Sequence, residues 1–430
     1  MTEPQQTEPQ QTEPQQTELQ QTELQQTEPQ QTEPQQTELQ QTDILIIGAG
    51  PVGLTLALAL ADSPWRVTLV DKRPLADQAA DPRALALSHG ARQLLEPLGA
   101  WPARAVTAIE TIHVSQKGGF GRTLIDRSEL ELPALGYVLR YKDLAARLQA
   151  GVQELPTCTC LDETRLVSLE RGSGGVAGSG IANGLAPLAT LERRGETLCL
   201  RPRLVVHAEG TPGDEAGVEV ADYGQEAIIC DALADRPHGH RAWERFTPDG
   251  PLALLPLEAG YSVVFTVPSA RADALMALDD DAFLKALAQQ FGSRFGFTQV
   301  GRRDRFPLAL RQRRELVLGR EVWIGNSAQT LHPVSGQGYN LGLRDAWELA
   351  ESLFAGGDDP GAAPTLAAYA ARRRLDRSGG AFFTDRVVRL FSNDLPPLRW
   401  ARGLGLLALD LLPPPRHFLA RRMIWGARAW

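Results

Sequence analysis

Asp43-Ile-Leu-Ile-Ile-Gly-Ala-Gly-Pro-Val-Gly53 is the stretch on which the rest of the chain is organised. Ile44 to Ile47 is an unbroken apolar run, as a parallel strand buried on both faces requires. The glycines that follow, Gly48, Gly50 and Gly53, stand as G-x-G-x-x-G. Gly48 permits the tight turn, Gly50 lets backbone approach a pyrophosphate, and Gly53 lets a helix pack close to the strand. Pro51 suits the first helical turn, where a missing N–H costs nothing. With Val52 it opens a helix whose free N–H groups and positive dipole end can face a diphosphate. Leu54 to Ala61 is rich in helix formers. Val67 to Val70 then reads as a second strand ending at Asp71, 23 residues after Gly48. There, next to Lys72, a carboxylate can accept hydrogen bonds from an adenosine ribose. The unit therefore reads as a dinucleotide site rather than a ligand-free βα turn, and does not by itself separate NAD from FAD.

Upstream, Thr2 to Gln41 is eight units reading TEPQQ or TELQQ. Such a segment has almost no apolar surface to offset the entropy of ordering, so residues 1–42 are expected to be a disordered tail. A spacer expanded by repeat slippage is the plainer reading, and an acidic docking tail the alternative. The tail lacks the marks of a signal or transit peptide. Its eight glutamates equal the whole formal net charge of −8, which leaves a neutral body and excludes a general nucleic-acid binder. The four cysteines (Cys158, Cys160, Cys199, Cys230) have no metal-ligand or redox spacing. No apolar run approaches the ~20 residues of a membrane-spanning helix. A cytoplasmic protein with reduced thiols is expected.

Downstream, residues 83–99 carry helical spacing, 101–140 mix short strands with turns, and Lys142 to Leu155 is an amphipathic helix. Leu166 to Leu200 is expected to form a hairpin around a Gly-rich loop at 172–184. Arg203 to Ala208 reads as a buried strand. Short alternating strands over 227–267 suit a separate sheet, followed by a helix over Asp280 to Phe291. Glu321 to Ile324 is a strand, Gln337 to about Phe354 a long helix, and 364–430 mostly helical.

The strand at Glu321 leads into Gly325-Asn-Ser-Ala-Gln-Thr-Leu-His-Pro-Val-Ser-Gly-Gln-Gly-Tyr-Asn-Leu-Gly342. Small residues here let backbone lie against a cofactor, and Asn326, beside Gly325, can bond to a ribityl chain or phosphate. Past Pro333, Gly336-Gln337-Gly338 sits at the start of the long helix, with Tyr339 and Asn340 next along it. Those N–H groups can face the pyrimidine edge of a flavin, where a positive dipole end stabilises the anionic reduced ring. A simple nicotinamide dehydrogenase has no use for such a segment.

This stretch resembles the second flavin motif of the aromatic hydroxylases related to p-hydroxybenzoate hydroxylase. Its wording is closest to the ubiquinone-biosynthesis branch, the 2-octaprenyl-6-methoxyphenol 4-hydroxylases in particular. Further matching pieces are Asp81-Pro-Arg-Ala-Leu-Ala-Leu-Ser-His-Gly90 with Leu98-Gly-Ala-Trp101, Ala242-Trp-Glu-Arg-Phe-Thr247 with Gly250-Pro-Leu-Ala-Leu-Leu-Pro256, and Phe306-Pro-Leu308. The resemblance implies FAD, NAD(P)H as co-substrate, dioxygen captured as a C4a-hydroperoxyflavin, and a polyprenylated phenol as substrate. It places Arg83 by the flavin and brings Arg140 within reach of it. It departs at Glu209-Gly210, where the family has Asp-Gly, and at Gly325-Asn326, where Gly-Asp is usual. No catalytic side chain is assigned: His332 invites the role of general base, but the cofactor carries the oxygen transfer and a phenol activates its own ring.

The expected fold is α/β: a Rossmann-like FAD-binding domain over 43–220, an inserted substrate domain of mainly antiparallel sheet over 221–315, a second FAD-binding segment over 316–360, and a helical C-terminal region over 361–430. In that last region Leu395 to Trp430 carries six arginines against one acid, Asp410, together with Trp400, Phe418, Trp425 and Trp430. Arginine and tryptophan beside apolar turns suit a membrane interface, so peripheral contact with the inner membrane through 395–430 is one expectation. Packing on the body or on a partner within a quinone-biosynthesis complex is the other. A soluble hydroxylase of small phenols and a non-catalytic flavin-binding scaffold are the alternative functions.

Overall fold

The computed structural model describes residues 41–81, 83–171, 186–391, 393 and 395–428; the repeats through residue 40 and the Gly-rich loop lie outside them. Its organising element is a six-stranded sheet in the order 317–318, 321–323, 204–207, 44–47, 67–70, 158–161. All neighbours are parallel except the edge pair 317–318 and 321–323. Ile44 pairs with Leu204 on one side and Val67 on the other, and the strand they flank is wholly buried, as its unbroken apolar run requires. Two helices cover one face: Pro51–Ala59, which begins at the glycine turn, and Gln337–Ala355, which begins at the second motif. Both motifs thus leave the carboxyl ends of parallel strands in one sheet, where ligands of open α/β sheets bind.

Among the described residues a nine-stranded, mainly antiparallel sheet carries the other lobe. Its long strand Val218–Ala234 pairs with Gly260–Pro268, Phe297–Val300 and Asp304–Arg313. Arg241–Thr247 runs parallel to Thr111–Gln116, so two strands from within 101–140, Thr111–Gln116 and Arg122–Asp126, join this sheet. The helix Asp280–Phe291 seals one face through Phe283, Leu287 and Phe291.

Two expectations give way. Residues 83–99 are not one helix: Ala84–Ser88 is a strand paired with Gly136–Arg140, and only His89–Leu95 is helical, capped by Ser88 Oγ accepting from Ala91 N. Ala-Leu-Ala-Leu is built of helix formers, and the available partner strand overrides that preference. The segment 166–200 holds three antiparallel strands, Thr164–Glu170, Leu188–Arg193 and Glu196–Leu200, because Arg194-Gly195 makes a second turn with both residues at positive φ.

The C-terminal region comprises the helices Ala363–Phe391, Pro396–Leu411 and Pro413–Trp425. The last two dock on the body: Thr123 Oγ1 donates to Leu406 O (2.7 Å), Asp410 Oδ1 accepts from Leu124 N (2.9 Å), and Arg416 pairs with Glu129 (2.8 Å). Arg402 donates to the carbonyls of Leu390, Phe391 and Asn393, closing the end of the preceding helix. On Pro396–Leu411 the buried side is Arg402 and Leu406. Trp400 (63% exposed), Leu404 (59%) and Leu411 (68%) point outward with Leu407, spaced so that they form one apolar stripe. Among the described residues no helix is long and apolar enough to cross a membrane.

Candidate functional site

The two glycine motifs meet. A Cβ on Gly325 would lie 3.1 Å from Val52 Cγ1, and one on Gly342 would lie 2.9 Å from Val52 Cγ2, so Val52 of the first motif is packed between two glycines of the second. Gly48, at φ +106°, abuts the third strand of the site: a Cβ there would be 2.5 Å from Ala208 C, and one on Gly53 would strike Gly48 O. These are positions where only glycine fits without moving backbone. Gly50 and Gly338 differ. A Cβ on Gly50 would meet only the Tyr141 hydroxyl at 4.0 Å, and one on Gly338 would meet nothing within 4 Å. Neither helix start, at Gly50 or Gly336, takes a side-chain cap, as a helix end facing an anion or a flavin edge requires.

Asp71 is buried at the end of its strand; Oδ2 accepts from Ala49 N (2.9 Å) and Oδ1 from Arg73 N (2.9 Å). The carboxylate therefore shapes the glycine turn while retaining lone pairs for a ribose. Lys72 is exposed, as is Asn326. Arg83 pairs with Asp81 (2.6 Å) and lies over the rings of Tyr141 (5.4 Å) and Phe306 (5.8 Å), on the wall that holds Gly50. Gly336, at φ +61°, sets its backbone against Ala86 of the strand that follows Arg83. Pro333 opens the short turn leading to it, and Gln337 follows at the first helical position. The Tyr339 hydroxyl is buried with no hydrogen-bond partner, and burial pushes it well above the usual phenol range.

Two predicted cofactor contacts have their polar atoms engaged by the protein. Asn340, 2% exposed, accepts from Ser88 N (2.8 Å) and donates to Ala86 O (3.0 Å) and Gly336 O (2.8 Å). It ties the strand after Arg83 to the second motif. Arg140 reaches Asp231 (2.7 Å) and Glu258 (3.0 Å) of the nine-stranded sheet, which fixes that sheet against the helix Tyr141–Gln153.

Other residues of the site carry no local sequence signal. Asp345 Oδ2 accepts from Gly325 N (2.9 Å), and its Oδ1 takes Arg373 Nε (2.7 Å), an arginine with 0% exposure that also binds Glu348 and Asp376. Asp376 in turn accepts from Arg344 and Ala427 N. Beside the turn, His207 bridges Glu321 (3.1 Å) and Glu209 (3.2 Å) and stacks on Trp323 (4.7 Å). Burial lowers the imidazole's basicity, but the two carboxylates overcome it and raise the pKa to about 9. Glu209 thus uses its extra methylene to reach back to its own strand. His332 is held the other way: burial lowers it to about 4, and Nδ1 accepts from Val334 N (3.1 Å), which leaves the proton on Nε2, buried without a partner. Tyr223 lies edge-on to it, and Phe246, Val334 and Val388 form an apolar cluster next to the sheet.

Open faces at Gly50 and Gly338, two uncapped helix starts and orphaned polar atoms on Tyr339 and His332 together fit a group with a diphosphate at one end and a hydrogen-bonding ring at the other. Among the described residues no group of His, Cys, Asp or Glu is arranged to hold a metal ion. Comparison with known proteins agrees. A family model described as an FAD binding domain matches residues 41–377. The ubiquinone hydroxylase UbiL of Rhodospirillum rubrum is 34% identical over 393 residues, covering 88% of each chain. The 3-demethoxyubiquinol 3-hydroxylase of Escherichia coli is 31% identical over 86% of this chain and 94% of its own. In fold, the chain is similar to PqsL, a probable FAD-dependent monooxygenase from Pseudomonas aeruginosa, with a TM-score of 0.68, 21% identity, and coverage of 85% and 99%.

Proposed function

Because this chain belongs to the FAD-binding-domain family, we propose that it is an FAD-dependent monooxygenase that hydroxylates the aromatic ring of a polyprenylated phenol in ubiquinone biosynthesis, using NAD(P)H and dioxygen. The observation that carries this reading is Val52 packed between Gly325 and Gly342: two motifs nearly three hundred residues apart close on one slot. The names of its ubiquinone-hydroxylating relatives supply the substrate class.

FAD, when bound, supplies the redox chemistry, accepting a hydride and activating dioxygen. The protein's part is placement. The turn Gly48–Gly53 and the helix start at Pro51 would hold the diphosphate, with Asp71 available to the ribose. The start of the helix at Gln337 would offer its positive end to the flavin ring. Arg83, set over Tyr141 and Phe306, closes the wall on Gly50's side. The phenol enters between the second motif and the strand Arg241–Thr247, where Phe246, Val334 and Val388 exclude water from the reacting centre. His332, neutral with its proton on Nε2, would offer a hydrogen bond to a bound group and takes up no proton at neutral pH. The prenyl tail stays with the membrane, which the outward stripe Trp400, Leu404, Leu407 and Leu411 contacts peripherally.

Purified protein is expected to be yellow, to release FAD on denaturation, and to oxidise NAD(P)H faster when given a prenylated phenol, with one oxygen appearing on the ring. Deletion in the host should accumulate the unhydroxylated quinone precursor. A folded but colourless protein, or NAD(P)H oxidation that no ring substrate stimulates, would overturn the proposal.

A further inference from the structure

A second cavity, of about 410 Å³, lies away from the flavin slot and is lined by Ser115, Arg122, Arg245, Arg294, Leu407 and Asp410 together with the glycines of the loop 118–121. Arg245, Ser115 and Arg122 form a row across three adjacent strands, in register as Arg245↔Ser115 and Ser115↔Arg122. Successive residues of a strand face opposite ways. Phe246 packs toward Val334 and the second motif, so Arg245 and the cavity occupy the other face, out of reach of hydride transfer. Among the described residues Arg122, Arg245 and Arg294 form no ion pair. Arg245 is held by neutral groups, Gln290 O (3.0 Å) and Ser115 Oγ (3.2 Å). The acid on the rim, Asp410, already accepts from Leu124 N. Three guanidinium groups against this one carboxylate leave the cavity net positive, a phosphate-recognising arrangement.

The cavity is continuous with the apolar stripe. Leu407 belongs to both, and Phe120, on the loop that lines the cavity, packs its ring 5.0 Å from Trp400. We propose that this arginine cavity binds the phosphate of an acidic phospholipid headgroup while the stripe Trp400, Leu404, Leu407 and Leu411 enters the acyl boundary. The inference rests on the membrane contact proposed above and adds headgroup selectivity to it. The local potential agrees with it. Burial and then the Arg294 charge lower Arg245 to about 10, and burial together with Arg294 and Arg122 holds the neighbouring His113 at about 4.

The test is flotation of the full-length, FAD-loaded protein with phosphatidylcholine vesicles, with and without phosphatidylglycerol. Wild type should bind the acidic vesicles roughly tenfold or more tightly. Arg122→Gln/Arg294→Gln, which changes two exposed side chains and spares the fold, should lose that preference and keep the weak neutral binding. Adding Arg245→Gln should remove nothing further. A control pair of exposed arginines from two C-terminal helices, Arg386→Gln/Arg421→Gln, should retain most of the preference. Equal losses in control and cavity variants would overturn the site in favour of diffuse attraction. Preference surviving in Arg122→Gln/Arg294→Gln, or inorganic phosphate binding at the cavity while acidic vesicles give no preference, would overturn it as well. Binding to both vesicle types without selectivity would sink the headgroup site alone. Binding to neither would sink it together with the membrane contact.

Discussion

Asn340→Ala separates a structural clamp from a cofactor ligand. The side chain makes three hydrogen bonds to backbone, at Ser88 N, Ala86 O and Gly336 O, from a position almost closed to solvent. A hydrogen bond of this kind contributes roughly 1 kcal/mol net, and a group left unsatisfied in the interior costs about as much or more, so the substitution should destabilise the protein by about 3 kcal/mol. The assay is urea unfolding of the FAD-free and FAD-bound proteins side by side. Because all three partners belong to the protein, both forms should lose about the same amount, with FAD affinity falling as a secondary effect through Gly336. If the FAD-free variant stays within about 0.5 kcal/mol of wild type and only the bound form weakens, Asn340 is a flavin contact and the clamp argument is wrong.

Gly48→Ala would drive a methyl into the backbone at Ala208 and force φ +106° on a residue with a Cβ; roughly a hundredfold weaker FAD binding is expected, read by loss of the flavin absorbance after gel filtration. His207 is raised from 6.5 to about 9, so the stability it supplies is complete below about pH 6.5 and lost as the pH rises through about 9. Urea midpoints across that window should fall in wild type and run flat in His207→Gln; parallel curves would show that its charge contributes nothing. Arg373→Met leaves Asp345, Glu348 and Asp376 without their central counter-charge, and should cost about 3–5 kcal/mol, measured as a lowered melting temperature or insoluble expression. Trp400→Ser/Leu404→Ser should abolish vesicle binding while leaving NAD(P)H oxidation intact, since both side chains are more than half exposed.

What the sequence made legible was local and repetitive: the apolar run at Ile44, the glycines that no side chain can replace, and the two helices that start on them. Their periods and spacings are properties of neighbouring residues, and the sheet they imply is the one found. One misread segment was Ala84–Ser88, whose residues favour helix on their own and become a strand only because Gly136–Arg140 lies alongside. Partnerships were hidden for the same reason. Arg140 and Asp231 are separated by 91 positions, Asn340 and Ser88 by 252, and no spacing rule announces either. The strands Thr111–Gln116 and Arg122–Asp126 join a sheet whose next strand along the chain begins only at Val218. Glu209 read as a departure from the family pattern; its bond to His207 gives the longer side chain a use that depends on Glu321 approaching from another strand.

The bonds from Asp376 to Ala427 N and from Ser88 to Ile424 O have a temporal meaning. The wall that carries Arg83 and abuts Gly336 is completed by Ile424, 336 positions after Ser88, and the network beneath Gly325 closes on the same segment through Ala427. Ribosomes make these residues only after both motifs. Nucleotide capture is therefore expected to wait until this segment has emerged, and stalled nascent chains ending before Ile424 should carry no bound flavin even though every glycine of both motifs has already been made.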